Sequence, residues 1–341
     1  MSTECITPPS PFATCDGIFY SWMLRVSAWI VSVATLLINF MVLLGRWKTR
    51  QLNATNGKPT DNVFIANLVV ADFLMGVYLL AIAIADASFG SNYYIVSKSW
   101  RTGPKCKIIG VIGVLSSVVS LLDLTIMSID RFFCLCFPFG TTGFNLKWSK
   151  ITCSIIWMFG IVVAILPINL TNSVTNFYGH SDVCLGLPII SIPQKVSKVF
   201  ESRELYFKHT GYTSEAMVTW IYSQVVFTYL SSFCLFIVTA CYVSIFISVL
   251  KTRRNSHRAS RSNDEVKLAK RISIIVGTDM LCWLPVITLG VLSQCGVQIP
   301  SKTNPWLVIF VMPINSVLNP FIYSYGILKK RKKNTPSHIQ D

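Results

Sequence analysis

Acidic side chains occupy positions where charge is costly: Asp72, Asp123 and Asp279 lie inside long apolar runs, and the adjacent pair Asp130 and Arg131 closes another. A carboxylate in hydrocarbon costs several kcal/mol unless a cation, water or hydrogen-bond donors meet it, so each is a structural anchor or an ion or switching site. Asp130 and Arg131 are neighbours in sequence and do not stack on one helical face as an i,i+4 pair would. Taken alone, they read equally well as charges snorkelling at a helix end. Catalytic chemistry is not supported. The four histidines, His180, His209, His257 and His338, fall in polar loops or the tail, with no metal-ligand spacing and no nucleophile set beside a base. The chain is expected not to be an enzyme.

The elements that position these groups follow from composition. Of 341 residues 52% are hydrophobic and only 13% charged, too apolar for a soluble domain, and the apolar residues are gathered into long runs. The lipid bilayer is therefore the expected surroundings. The formal charge of +15 does not point to nucleic acid, because the basic residues lie in loops between apolar runs and are not interleaved with stacking aromatics.

Seven runs can be placed. A polar segment, Met1 to Trp22, contains Pro8, Pro9 and Pro11 and lacks the n-region and h-region of a cleavable signal. Span one runs from Met23 to Trp47 with Asn39 near its middle, where an interhelical hydrogen bond is the default expectation. Span two, Asn62 to Ala85, holds Asp72, and a polar loop through Trp100 is expected to follow it. Span three, Cys106 to Phe133, contains Ser120 and Asp123. From Cys106 to Arg131 it covers roughly 37 Å as a helix, enough for a hydrocarbon core of ~30 Å. Span four is Ile151 to Leu170, with Trp157 and Pro167. After a long polar loop containing Cys184, span five runs from Met217 to Leu250. The basic segment Lys251 to Arg271 precedes span six, which ends at Cys295 and has Pro285 inside it. Span seven, Pro305 to Tyr325, contains Pro320, and each internal proline frees a backbone carbonyl and permits a kink. The expected domains are a tail (1–22), a membrane bundle (23–326) and a short basic tail (327–341) that carries Lys329 to Lys333.

The basic loops after spans one, three and five and the basic tail fall on one side, which the positive-inside bias makes cytosolic. The N-terminus and Cys106 are then expected outside. Cys184 falls on the same side as Cys106, so a disulfide between them is sterically reasonable, although eleven cysteines leave other pairs open, among them Cys5, Cys15 and Cys295.

Asn39, "LVVAD" at Asp72, Cys106, "DRF" at Arg131, Trp157, Cys184, "CWLP" at Pro285 and "NPFIY" at Tyr323, each in order on its own span or loop, resemble the rhodopsin-like (class A) G-protein-coupled receptors. "ADFLMGVYLL", "NFYGHSDVC", "LAKRISIIVGTDMLCWLPV" and "IFVMPINSVLNPFIY" are similar to the leucine-rich-repeat-containing hormone receptors, the relaxin receptor branch above all. The resemblance implies an all-α seven-transmembrane helix bundle in the plasma membrane with its N-terminus extracellular. It implies an extracellular ligand, a peptide hormone by analogy, and a heterotrimeric G protein as partner.

It also assigns residues. Cys106 and Cys184 match the disulfide. Asp130 matches the acid that holds Arg131 at rest, and Tyr242 and Tyr323 match tyrosines that restack beside that arginine when the inner end of span six swings outward. Cys282, Trp283, Pro285 and Pro320 match switch and pivot positions of spans six and seven. Asp72, Ser120, Asn315, Ser316 and Asn319, with Asn39 nearby, match a sodium pocket; apart from that ion no cofactor is expected. Asp279 is expected to bond to Asn315 or Asn319, and Asp123, which departs from the pattern, to a neighbouring helix. No leucine-rich repeat of the expected period is present. The alternatives are a constitutive, ligand-free signalling form and a truncated fragment of a leucine-rich-repeat hormone receptor. An opsin is excluded, since no lysine lies between Lys302 and Lys329 to carry retinal.

Overall fold

The computed structural model describes residues 17–51, 59–137, 143–170, 177–187, 214–255, 277–278, 280–297, 299–300 and 303–320. Asp279 and Tyr323, the basic tail, Cys5 and Cys15 lie outside the described residues.

The apolar runs become helices that extend past their apolar cores, because polar end residues continue backbone hydrogen bonding after hydropathy has fallen. Spans one to four are Trp22–Gln51, Pro59–Phe89, Pro104–Cys136 and Leu146–Leu170. Span five is built from Ser214–Ser223, a π-helical turn Gln224–Leu230 and Ser231–Asn255. Span six is described over Met280–Gln294. Span seven begins at Thr303–Trp306, widens into a π-helical turn Leu307–Val311, and is helical again over 314–320.

Spans two and three are central, and spans one, four and five are peripheral. In their most apolar windows 61% of spans two and three is buried, against 22% of span one and 28% of spans four and five. Span three packs against spans two, four and five. The peripheral helices are inverted relative to a soluble protein: Ile30, Leu37, Ile155, Met158, Phe233 and Phe236 point outward, whereas Ser32, Thr35, Asn39 and Ser231 are fully buried. That arrangement suits hydrocarbon as solvent, since a lipid-facing polar group would lack partners.

The bundle has two ends, a cysteine end with Cys106 and Cys184 and an arginine end with Asp130 and Arg131. One expectation is corrected at the cysteine end. The segment after span two is not a loop through Trp100 but a 3-10 turn, Gly90–Asn92, and a ten-residue helix, Tyr93–Thr102. Its buried residues are Tyr93, Ser97, Trp100 and Arg101, spaced by helical turns, so one face is packed inward and the other is exposed. Low overall hydropathy concealed the periodicity.

Candidate functional site

Asp72 lies at the middle of span two and is completely buried. Three neutral donors reach its carboxylate: Ser316 Oγ at 2.9 Å and Ser120 Oγ at 3.4 Å on one oxygen, Asn319 Nδ2 at 3.2 Å on the other. Asn39 ties span one to the group by donating from Nδ2 to Ser316 O at 2.9 Å, the interhelical bond its position predicts. Spans one, two, three and seven therefore meet at one carboxylate. Beside it lies a cavity of about 20 Å³ lined by Ser116, Ser120, Asn315, Ser316, Cys282 and Trp283 among others. That exceeds the ~10–15 Å³ that one water needs. Asn39 Oδ1 and Asn319 Oδ1 are buried with no hydrogen-bond partner among the described residues.

The donor set fits a hard monovalent cation: one carboxylate, serine hydroxyls and amide oxygens, with no sulfur or imidazole required. No group of three His, Cys, Asp or Glu side chains that could hold a transition metal occurs among the described residues. Cys282 and Trp283 of span six are 3% and 7% exposed and line the cavity, so a shift of span six changes the shape of the space beside Asp72.

Asp123, one turn beyond Ser120, belongs to a separate site. Asn67 Nδ2 donates to Asp123 Oδ1 at 3.0 Å, and Trp157 Nε1 donates to Asn67 Oδ1 at 2.5 Å, which links spans three, two and four. The expected bond to a neighbouring helix is thus present. Asn67 was not singled out in the sequence; the available signal was a polar side chain in an apolar run, as at Asn39.

At the arginine end, Arg131 Nη2 lies 3.6 Å from Asp130 Oδ2. Asp130 Oδ1 also accepts the backbone N–H of Phe144 at 3.1 Å, so the segment leading into span four is tied to the same carboxylate. Tyr242 is half-buried on span five, which packs along span three. Pro285 lies within the described helix of span six, and Pro320 ends the described part of span seven. Cys153, Cys234, Cys241 and Cys282 are buried, and Cys134 and Cys136 at the arginine end of span three are half-buried.

The cysteine end is closed by a segment folded onto the bundle. Cys106 and Cys184 form a disulfide. Asp182 accepts from Tyr93 OH at 2.6 Å, lies 3.7 Å from Arg101 Nε, and its main-chain oxygen accepts from Trp100 Nε1 at 2.9 Å. Burial, and then the adjacent Asp182 carboxylate, push the Tyr93 phenol well above its ordinary value. Gly110 of span three permits the fit, because a Cβ there would lie 2.1 Å from the Tyr178 ring and 2.4 Å from Cys184 O. His180 Nε2 is 3.3 Å from Thr219 Oγ1 of span five, and burial followed by the nearby Arg101 lowers its pKa. A second tie joins the outset of span one to span two: Arg25 Nε is 3.0 Å from Asp86 Oδ2, whose other oxygen accepts Phe19 N–H at 3.0 Å. Neither Asp86 nor Asp182 was anticipated. The signal for Asp86 was a lone acid at the end of span two facing a lone base, Arg25, at the start of its antiparallel neighbour.

An all-α bundle of seven membrane helices, with a carboxylate at its core, an acid–arginine pair at one end and a disulfide at the other, defines a transmembrane receptor of the rhodopsin type. Residues 38–323 match the family described as 7 transmembrane receptor (rhodopsin family), and the chain belongs to it. Members of this family are receptors and not enzymes. Among its relatives are the G-protein coupled receptor GRL101 of Lymnaea stagnalis, 32% identical over 94% of this chain and 26% of that protein, and relaxin receptor 1 of Mus musculus, 32% identical over 94% of this chain and 39% of that protein. Relaxin receptor 2 of Homo sapiens is 28% identical over 94% of this chain. The chain thus spans about a quarter to two fifths of the length of these relatives. In fold it is similar to squid rhodopsin, with a TM-score of 0.63 at 20% identity over 91% of this chain and 83% of that one.

Proposed function

We propose that this chain is a plasma-membrane receptor whose cysteine end faces outside, which passes an extracellular signal to a heterotrimeric G protein when the arginine-end half of span six swings outward. The supporting observation is the Asp130–Arg131 pair at the end of span three, opposite the disulfide, with a neutral-donor site around Asp72 between them. A ligand drives such a change only by binding the open arrangement more tightly than the closed one. The resemblance and the relaxin receptors among its relatives favour a peptide hormone as that ligand.

Asp72, Ser120 and Ser316 would hold a sodium ion, with Asn39, Asn315 and Asn319 around them. A bound ion would supply positive charge against the Asp72 carboxylate and so favour the resting arrangement. Asp72 holds span seven to span two in either case, through Ser316 and Asn319.

The test is basal cyclic AMP and calcium output in cells expressing this chain, beside Arg131→Ala at matched surface expression. Signal that disappears in the substituted chain supports transduction, and its presence without added hormone supports the constitutive alternative. An undiminished signal in Arg131→Ala sinks the proposed coupling route.

A further inference from the structure

Toward the cysteine end, spans five and six are joined by a polar contact centred on Gln224, which is 2% exposed. Gln224 Nε2 donates to Gly290 O at 3.3 Å, and its Oε1 accepts from Thr228 Oγ1 at 2.8 Å and from Gln294 Nε2 at 2.9 Å. Tyr229 OH donates to Gln294 Oε1 at 3.0 Å, and Trp220 Nε1 to Ser293 Oγ at 3.4 Å. The π-helical turn of span five makes this possible. In a regular α-helix the fifth residue beyond Gln224 lies about 140° away around the axis, whereas the wider turn brings Thr228 and Tyr229 to either side of it, both toward span six.

Gly290 permits the close approach. A Cβ at that position would stand 2.0 Å from Thr228 Oγ1 and 3.1 Å from Thr228 Cβ, so a side chain there must displace Thr228 or the helix that carries it. The bonds of Gln224 to Gly290 and Thr228 are buried, and separating the helices would leave Gln224 unpaired in an apolar medium. Pro285 lies beyond this contact toward the arginine end. It has no N–H to donate to Leu281 O, so span six is weakest immediately beyond the point where it is most firmly held.

We propose that Gln224 and Gly290 are positioning residues that bind the cysteine-end halves of spans five and six into one rigid body, confining any swing of span six to the part beyond Pro285. The swing itself rests on the signalling reading above; the rigid pairing does not. Neither residue contacts the Asp72 site or the Asp130–Arg131 pair.

Paired spin labels on the full chain in nanodiscs test this. One pair is placed at the lipid-exposed positions Val225 and Val291, the other at Ile247 and at Gly277, where a side chain meets nothing within 4 Å. Cys295, which is exposed, Cys134 and Cys136, which are half-buried, and Cys5 and Cys15 are replaced by serine to remove background labelling. The probe is a synthetic peptide with the C-terminal sequence of a G-protein α chain. The 225–291 distance distribution is expected to be narrow and unmoved by this peptide, while the 247–277 distribution shifts outward. Gln224→Ala should broaden the 225–291 distribution. Gly290→Ala should lengthen it by about 1.5 Å, the gap between a 2.0 Å approach and ordinary contact. Thr228→Ala added to Gly290→Ala should restore it, which a general folding defect would not. A 225–291 distribution as broad as the 247–277 one, or one indifferent to both substitutions, overturns the proposal. A 247–277 distance that ignores the peptide, beside a narrow 225–291 distance, instead removes the signalling swing and leaves the rigid pair standing.

Discussion

The cysteine end and the middle of the bundle satisfy their buried acids by opposite means. Toward the cysteine end, Asp182 and Asp86 face guanidinium groups, Arg101 and Arg25, and each also takes a neutral donor, Tyr93 OH or Phe19 N–H. In the middle of the membrane, Asp72 and Asp123 have neutral donors only, serine hydroxyls and asparagine amides, with a cavity beside the first. A guanidinium–carboxylate pair is strong, directional and costly to separate, so it fixes geometry. A carboxylate held by hydroxyls and amides can exchange partners at little cost, because each donor contributes about 1–3 kcal/mol net. The cysteine end is therefore built to stay, and the middle to change.

If that contrast is right, the largest losses come from breaking the cysteine end. Cys106→Ser removes a disulfide spanning 78 residues of sequence and should cost on the order of 4 kcal/mol. We expect most of the chain to be lost from the cell surface, read by labelling of intact cells. Asp182→Ala comes next. It strips a buried guanidinium and a buried phenol of their carboxylate, worth about 3–5 kcal/mol. A melting temperature of the purified protein within a degree of the parent would show that the cap is not rigidly tied.

Smaller effects are expected in the middle. Asn67→Leu removes both the donor to Asp123 and the acceptor of Trp157, and should destabilise by about 1–3 kcal/mol. Trp157→Phe leaves the Asn67–Asp123 bond in place and should cost less. Asp72→Asn keeps the shape and most of the hydrogen bonding, so its cost to folding should be about 1 kcal/mol or less. Its effect should appear instead in sodium response: added sodium chloride, against choline chloride, should raise the melting temperature of the parent and leave Asp72→Asn unmoved. Equal stabilisation of both proteins would mean that the ion does not act at Asp72.

The contrast between the cysteine end and the middle was only half legible in the sequence. The middle could be read because its polar residues interrupt apolar runs: Asn39, Asp72 and Ser120 stand out against their neighbours, and the structure brings them together with Ser316 and Asn319. The cysteine end could not, because there the same residue types sit among other polar residues. Arg101, Asp182 and Tyr93 look like ordinary loop composition until the ten-residue helix and the disulfide set them face to face. Gln224, Gly290 and Gln294 escaped for a different reason. Their contact depends on a π-helical turn that shifts the face of span five, and a pattern counted at 3.6 residues per turn assigns those side chains to different sides.

The smallest predicted effect tests how firmly the cysteine end is closed. His180 stays neutral where an ordinary histidine would begin to charge, because its surroundings are buried and Arg101 is near. A histidine whose folded pKa is lowered contributes nothing against folding while neutral. As pH falls through and below the ordinary value of 6.5, the unfolded chain binds the proton first and stability is lost. Protonation also places a second cation beside Arg101 and removes the ability of Nε2 to accept from Thr219. Melting temperature should therefore decline between about pH 6.5 and 5 more steeply in the parent than in His180→Gln, which retains a hydrogen-bonding group without the titration. Parallel declines in the two proteins would mean that the acid sensitivity arises elsewhere than at His180.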